Sequence, residues 1–115
     1  MKPAKFDYLR PGSLQQALEM LAGSDGQVKV LAGGQSLVPM MNFRVARPEQ
    51  LIDINRLPDL DYIRIEDDRL VIGALARHAS IKAALDVRAA CPLMGEAYHW
   101  VAHHPIRTRG TLCDN

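Results

Sequence analysis

Apolar positions first recur at helical spacing in "RPGSLQQALEMLAGSDG", where Leu14, Ala17, Leu18 and Leu21 fall on one face. Pro11-Gly12 precedes the run, and Ser13 followed by Gln16 has the pattern of a capping box. A helix is predicted here, stopped by Gly23 and the Ser24-Asp25-Gly26 turn. The period then changes. Val28–Leu31 is short, β-branched and apolar, as a buried strand would be, and it runs directly into Gly33-Gly34. Beyond the glycines, "SLVPMMNFRVARP" predicts a short helix capped by Ser36, with Pro39 in the first turn, where amide hydrogens lack intrahelical partners. A further short strand is expected over residues 51–54.

In "YIRIEDDRLVIG" a hairpin sets Tyr62, Ile63 and Ile65 against Leu70, Val71 and Ile72, joined by Asp67-Asp68. "SIKAALDVRAACPLMGEAYHWVA" is helical in pattern, with Ser80 as a cap, and the break at Pro92 after Cys91 divides it into two helices. The tail "HHPIRTRGTLCDN" has turn residues without apolar periodicity and reads as loop.

Length and composition narrow this picture. A chain of 115 residues suits one small domain and leaves little room for two independent cores. With 48% hydrophobic and 23% charged residues it has the make-up of a globular protein. A formal net charge of +1 speaks against binding to nucleic acid or to a membrane surface. No stretch approaches the roughly 20 apolar residues that span a bilayer, and "MKPAKFDYLR" lacks the apolar core of a signal peptide. The expected location is cytoplasmic. Cys91 and Cys113 form no CxxC, so neither a disulfide framework nor a zinc knuckle is indicated.

Candidate chemistry centres on the glycines. Gly33-Gly34 would let the backbone approach a ligand closely, with successive amide hydrogens turned into one concavity. A helix starting at Ser36 would add the positive end of its dipole, which favours an anion such as a pyrophosphate. The other reading is a plain strand-to-helix turn. Neither GxGxxG nor GxxxxGK[ST] is present, and residue types alone favour the turn. In "RTRGTLCDN", Arg107 and Arg109 would meet a phosphate or steady a loop through its carbonyl oxygens, solvated arginines being the commoner outcome. Glu96, His99 and His103 are spaced to share a helical face as metal ligands would, but they do not form HExxH, and a solvated face is the ordinary result. His78 reads as a structural hydrogen-bonding residue rather than a base. No spacing argues for a Ser/His/Asp set or paired carboxylates, so no catalytic residue and no metal ligand is assigned.

Together, "FDYLRPGSLQQALEMLA", "KVLAGGQSLVPMMNFRVARPEQLIDINRLPDL" and "HPIRTRGTL" resemble the N-terminal part of the FAD-binding medium subunit of molybdenum hydroxylases. That family includes the flavin subunits of aerobic carbon monoxide dehydrogenase and bacterial xanthine dehydrogenase. The resemblance runs along essentially the whole chain, and the pairing of AGGQS with a later RxRGT carries it. It implies an α+β fold of the vanillyl-alcohol-oxidase or PCMH type, with residues 1–55 as a βαβ-like N-terminal lobe and residues 56–115 as an incomplete second lobe. It also implies FAD, with the diphosphate between two loops: Ala32, Gly33, Gly34, Gln35 and Ser36 in one, Thr111, Leu112, Cys113, Asp114 and Asn115 in the other. Electrons would come from a molybdenum large subunit through an iron-sulfur small subunit to the flavin, and pass on to NAD, oxygen or a quinone. The chain would then supply cofactor binding rather than a catalytic acid or base.

Two departures qualify the expectation. Family members usually carry Gly-Gly before the asparagine of the second loop, where this chain has Cys113-Asp114, so side chains stand where glycine would permit positive φ. Asp114 also places an anion beside the implied diphosphate. Two unit charges about 4 Å apart repel by roughly 4 kcal/mol at an effective dielectric near 20, equivalent to about a thousandfold in affinity. The second departure is length, since the family continues well past this loop. A truncated FAD-binding domain is therefore expected, with apolar surface on the hairpin and on residues 93–101 that favours self-association. The alternative is a non-catalytic fragment that keeps the fold without binding FAD. A nucleic-acid module built on Arg107 and Arg109 is disfavoured by the near-neutral charge and by three tyrosines without an interleaved basic pattern.

Overall fold

The computed structural model describes residues 1–114, the side chain of Asp114 excepted. The chain divides into two units, Met1–Pro58 and Asp59–Cys113, and each builds an apolar cluster of its own. The expectation of a single core is corrected: the elements are short, and each unit closes around a few side chains.

In the first unit, β1 (Asp7–Leu9), α1 (Leu14–Ala22), β2 (Val28–Leu31), α2 (Leu37–Asn42) and β3 (Gln50–Asp53) follow one another. The three strands are parallel in the order β1-β3-β2, with Tyr8 and Lys29 both level with Leu51. Parallel neighbours need a crossover between them, and α1 and α2 lie in the connections. Central β3 buries Leu51 and Ile52, as a strand paired on both sides does. β2 is an edge strand and stays only partly buried, contrary to the buried strand expected. β1 had no signal in the sequence, because three residues are too few to show a period.

Ser13 caps α1 as expected, its hydroxyl accepting from the Gln16 amide at 3.1 Å. The return arm differs: the Gln16 carboxamide oxygen accepts from the Gly12 amide at 2.6 Å. The apolar face of α1 buries only Ala17, leaving Leu14 and Leu18 about half exposed. The core of this unit is Leu37, Met41 and Leu51, with Phe6, Leu31 and Ala46 packed against it. Leu37, Met41 and Leu51 each stabilise by roughly 1.5–3 kcal/mol on full burial.

The second unit opens with the hairpin of β4 (Ile63–Glu66) and β5 (Arg69–Ile72). Asp67 at φ 47° and Asp68 at φ 61° form its two-residue turn, the left-handed pair that suits the twist of a hairpin. Helices α3 (His78–Ala83), α4 (Leu85–Ala90), α5 (Pro92–Ala97) and α6 (His104–Arg107) follow, then a 3-10 turn over Leu112–Asp114. Three helices replace the two expected before the tail, because Ala84 at ψ 122° is extended and breaks the run. The break lets Ile81 and Val87, both fully buried, enter one cluster with Ala76 and Tyr98. α4 packs on β4 and β5, and Ile63, Leu70 and Ile72 line that contact. Ser80 lies inside α3, whose capping position is Arg77, so the expected cap is also corrected. The tail expected as loop contains α6, started by Pro105 in its first turn.

Candidate functional site

The first candidate loop leaves the carboxyl end of β2. Ala32 and Gly34 are buried, while Gln35 and Ser36 are exposed. Gly34 has φ +72°, and a Cβ there would come within 3.1 Å of Leu31 Cδ1 and 3.3 Å of Val38 Cγ2. Glycine is thus required twice, by backbone conformation and by space. The Gly34 carbonyl accepts from the Val38 amide at 3.1 Å, so the loop turns directly into α2. Ser36 occupies the N-cap position in right-handed backbone, but its side chain does not cap the helix. α2 has only 6 residues, and a dipole that short adds little to anion binding.

Beside this loop, at the carboxyl end of β3, lies a network that sequence reasoning missed. The Asn55 side-chain nitrogen donates to the Ala32 carbonyl at 2.7 Å and to Asp53 Oδ1 at 2.8 Å. The Asn55 main-chain amide donates to the same Oδ1 at 2.9 Å, and the Tyr8 hydroxyl donates to Oδ2. Burial acts to raise the pKa of Asp53, yet the donors Tyr8 and Asn55, with Arg10 nearby, together hold the carboxyl below its usual range. Donation to that carboxylate pushes the Tyr8 hydroxyl up. The one available signal was Asp-x-Asn at a strand end, a spacing that favours a side-chain-to-backbone turn.

In the second unit the loop at 110–113 is held by main chain, with one side chain added just before it. The His78 amide donates to the Gly110 carbonyl at 3.0 Å, Arg77 and Thr111 form an antiparallel bridge, and the Arg77 guanidinium donates to the Arg109 carbonyl at 2.7 Å. His78 Nδ1 lies 3.1 Å from the Tyr98 hydroxyl, the structural role expected for it. Burial and, secondarily, the neighbouring Cys113 keep the Tyr98 phenol protonated to higher pH. Arg107 donates to the carbonyls of Val101 and Ala102 at 3.2 and 3.0 Å. It steadies the chain where Ala102 takes φ 49°. Arg109 is exposed.

Thr111 is 1% exposed, and its hydroxyl has no hydrogen-bond partner among the described residues. Cys113 is exposed in a right-handed 3-10 turn, so its side chain meets none of the strain that a positive φ would bring. Asn115 and the Asp114 side chain lie outside the described residues. α5 ends at Ala97, so His99 and His103 do not continue its face beside Glu96. A cavity of about 700 Å³ lined by Lys2, Lys5, Phe6, Arg44 and Arg47 involves neither loop. No helix among the described residues is long and apolar enough to cross a membrane.

A glycine turn at the carboxyl end of a parallel strand fits the close approach of a ligand rich in phosphate oxygens. Comparison with known proteins gives that fit a family. Residues 4–115 match the FAD binding domain in molybdopterin dehydrogenase, and the chain belongs to that family. It is 48% identical over 115 residues to caffeine dehydrogenase subunit beta of Pseudomonas sp. strain CBB1, a match covering 100% of this chain and 39% of that protein. It is 47% identical over 112 residues to 6-hydroxypseudooxynicotine dehydrogenase complex subunit alpha of Paenarthrobacter nicotinovorans, covering 97% of this chain and 38% of that protein. Its fold superposes with a TM-score of 0.91 and 42% identity on carbon monoxide dehydrogenase from Hydrogenophaga pseudoflava, covering 99% of this chain and 40% of that one. The α+β class and the family resemblance read from the sequence therefore hold. The chain spans 38–40% of the length of these relatives.

Proposed function

We propose that the chain is the FAD-binding part of the medium subunit of a molybdenum hydroxylase, with residues 32–36 and 111–115 as its two diphosphate loops. The observation that carries this reading is Gly34 at φ +72° at the carboxyl end of β2, in a chain whose family binds FAD. On this reading the amides of residues 33–36 donate to phosphate oxygens, and the absence of side chains at Gly33 and Gly34 gives the backbone its close approach. The Thr111 hydroxyl supplies a further polar group in the second loop. FAD held by these two loops would supply the redox chemistry between iron-sulfur clusters and an acceptor.

The lobe assignment, residues 1–55 and 56–115, belongs to the same proposal. One relative is named as a subunit of a dehydrogenase complex, which supports partner subunits, on this reading an iron-sulfur small subunit and a molybdenum large subunit. Leu85, Leu93 and Trp100 are 76%, 76% and 87% exposed, and support self-association of the isolated chain, which sedimentation at rising concentration measures.

Titration of the purified chain with FAD, followed by quenching of flavin fluorescence, tests the central claim. Micromolar binding is expected to support it, and no binding at millimolar FAD leaves the fold-only alternative. Cys113→Gly with Asp114→Gly is expected to tighten binding by up to about a thousandfold if the carboxylate opposes the diphosphate. Unchanged binding would clear Asp114 of that role.

A further inference from the structure

The geometry points to Asn55 as a positioning residue for the first loop: its carboxamide, oriented by Asp53, holds the Ala32 carbonyl and thereby sets the direction of the Gly33 amide. This rests on the reading of residues 32–36 as a diphosphate loop.

The main-chain bond from the Ile54 amide to the Leu31 carbonyl, at 3.1 Å, brings the β3 side of the ladder to the end of β2. One residue further along, Ala32 presents its carbonyl, and the Asn55 side chain donates to it at 2.7 Å. A side chain thus adds one rung beyond the strand pair. The peptide between Ala32 and Gly33 is planar, so fixing the carbonyl on one side fixes the Gly33 N–H on the other. Gly33 itself offers little resistance to rotation. Without the rung, the peptide plane would be free to turn and the donor would point in many directions.

Asn55 is itself held. Asp53 Oδ1 accepts from both its main-chain amide and its side-chain nitrogen, at 2.9 and 2.8 Å, while the Tyr8 hydroxyl occupies Oδ2. The two atoms that face the Asn55 side-chain nitrogen, the Ala32 carbonyl oxygen and Asp53 Oδ1, are both acceptors. Only the NH2 end of the carboxamide satisfies both, so the chemistry determines its orientation. An aspartate at position 55 has the same shape and the opposite consequence, setting an acceptor against two acceptors.

The test measures amide hydrogen exchange in the ligand-free chain, together with FAD titration, for the natural sequence, Asn55→Ala and Asn55→Asp. Exchange at the Val38 amide, which donates to the Gly34 carbonyl of the loop, is expected to quicken about tenfold in both variants, the equivalent of one hydrogen bond. β1, β2 and β3 should keep their protection. FAD affinity of Asn55→Ala should fall by about the same factor. Exchange in Asn55→Asp equal to the natural chain would overturn the proposal, because shape rather than the donor would then matter. Loss of protection spread over all three strands would also overturn it, by making Asn55 a general structural residue. If Asn55→Ala does not fold, Asn55→Asp decides. If the natural chain binds no FAD, the diphosphate reading fails, and the exchange comparison still decides whether Asn55 holds the loop.

Discussion

In the first unit, the loop that carries Gly33 and Gly34 takes a side-chain donor, Asn55, at the Ala32 carbonyl, beside the main-chain bond from Val38 to Gly34. In the second, the loop that carries Gly110 and Thr111 is held by main-chain bonds, through the His78 amide and the bridge from Arg77, with the Arg77 guanidinium added at the Arg109 carbonyl just before it. The difference follows from how each loop meets its neighbour. Where the β2–β3 ladder ends beside the first loop, the next carbonyl, Ala32, takes its donor from a side chain. An antiparallel bridge brings amide and carbonyl together without that help. The first loop is therefore open to adjustment by single substitutions, while the second responds chiefly to bulk placed against it.

Three predictions press on this contrast. The largest effects belong to the cores, where the two units should behave alike: Ile52→Ala and Ile81→Ala, both at fully buried positions, are each expected to cost about 2–5 kcal/mol in urea unfolding. A cost near zero at Ile81 would show that its cluster does not hold the second unit together, and one near zero at Ile52 that burial on the central strand does not hold the first.

Smaller effects belong to the glycines, and here the units should part. At Gly110 a Cβ would meet His78 Cδ2 and the Ile106 carbonyl oxygen, each at 3.0 Å, so Gly110→Ala is expected to cost about 1–3 kcal/mol by crowding. At Gly34 the cost comes first from the left-handed backbone, about 1–2 kcal/mol for Gly34→Ala. The distinguishing measurement is a second substitution, His78→Ala. It should relieve the part of the Gly110→Ala defect that comes from the imidazole, the Ile106 carbonyl contact remaining, and leave Gly34→Ala unchanged.

The smallest effect is on pH dependence, and its acid arm belongs to the first unit. The folded Asp53 carboxyl gives up its proton more readily than the unfolded one. Its contribution is therefore complete above the ordinary carboxylate value of about 4 and is lost as pH falls through the lower folded value. Tyr8 moves the other way: its pKa is raised, so its contribution is complete below about 10 and is lost as pH rises through the folded value. Urea midpoints against pH should fall less steeply at the acid end in Asp53→Asn than in the natural chain. Parallel curves would remove Asp53 from the acid response.

The parts legible in the sequence were those whose cause lies within a few residues. Ser13 and Gln16 announced the start of α1, and Asp67-Asp68 marked a turn whose paired left-handed residues close the hairpin. The glycine loop was legible as a backbone without side chains, though residue types alone could not separate a turn from a phosphate cradle. β1 escaped notice because its three residues are made a strand by β3. Ala84 has no breaker chemistry and is extended because Ile81 and Val87 both turn into one cluster. Ser80 looked like a cap by type, yet the bonds from His78 and Arg77 to the tail begin the helix earlier.

The sequence by itself therefore determined the family, the glycines, the hairpin turn and the first helix, since motif and local hydrogen bonding need only near neighbours. Only the tertiary structure decided that Asn55 meets Ala32 and that His78 meets Gly110. Those contacts join residues far apart in the chain, and a donor's partner at that range is set by the path of the backbone rather than by either residue's type.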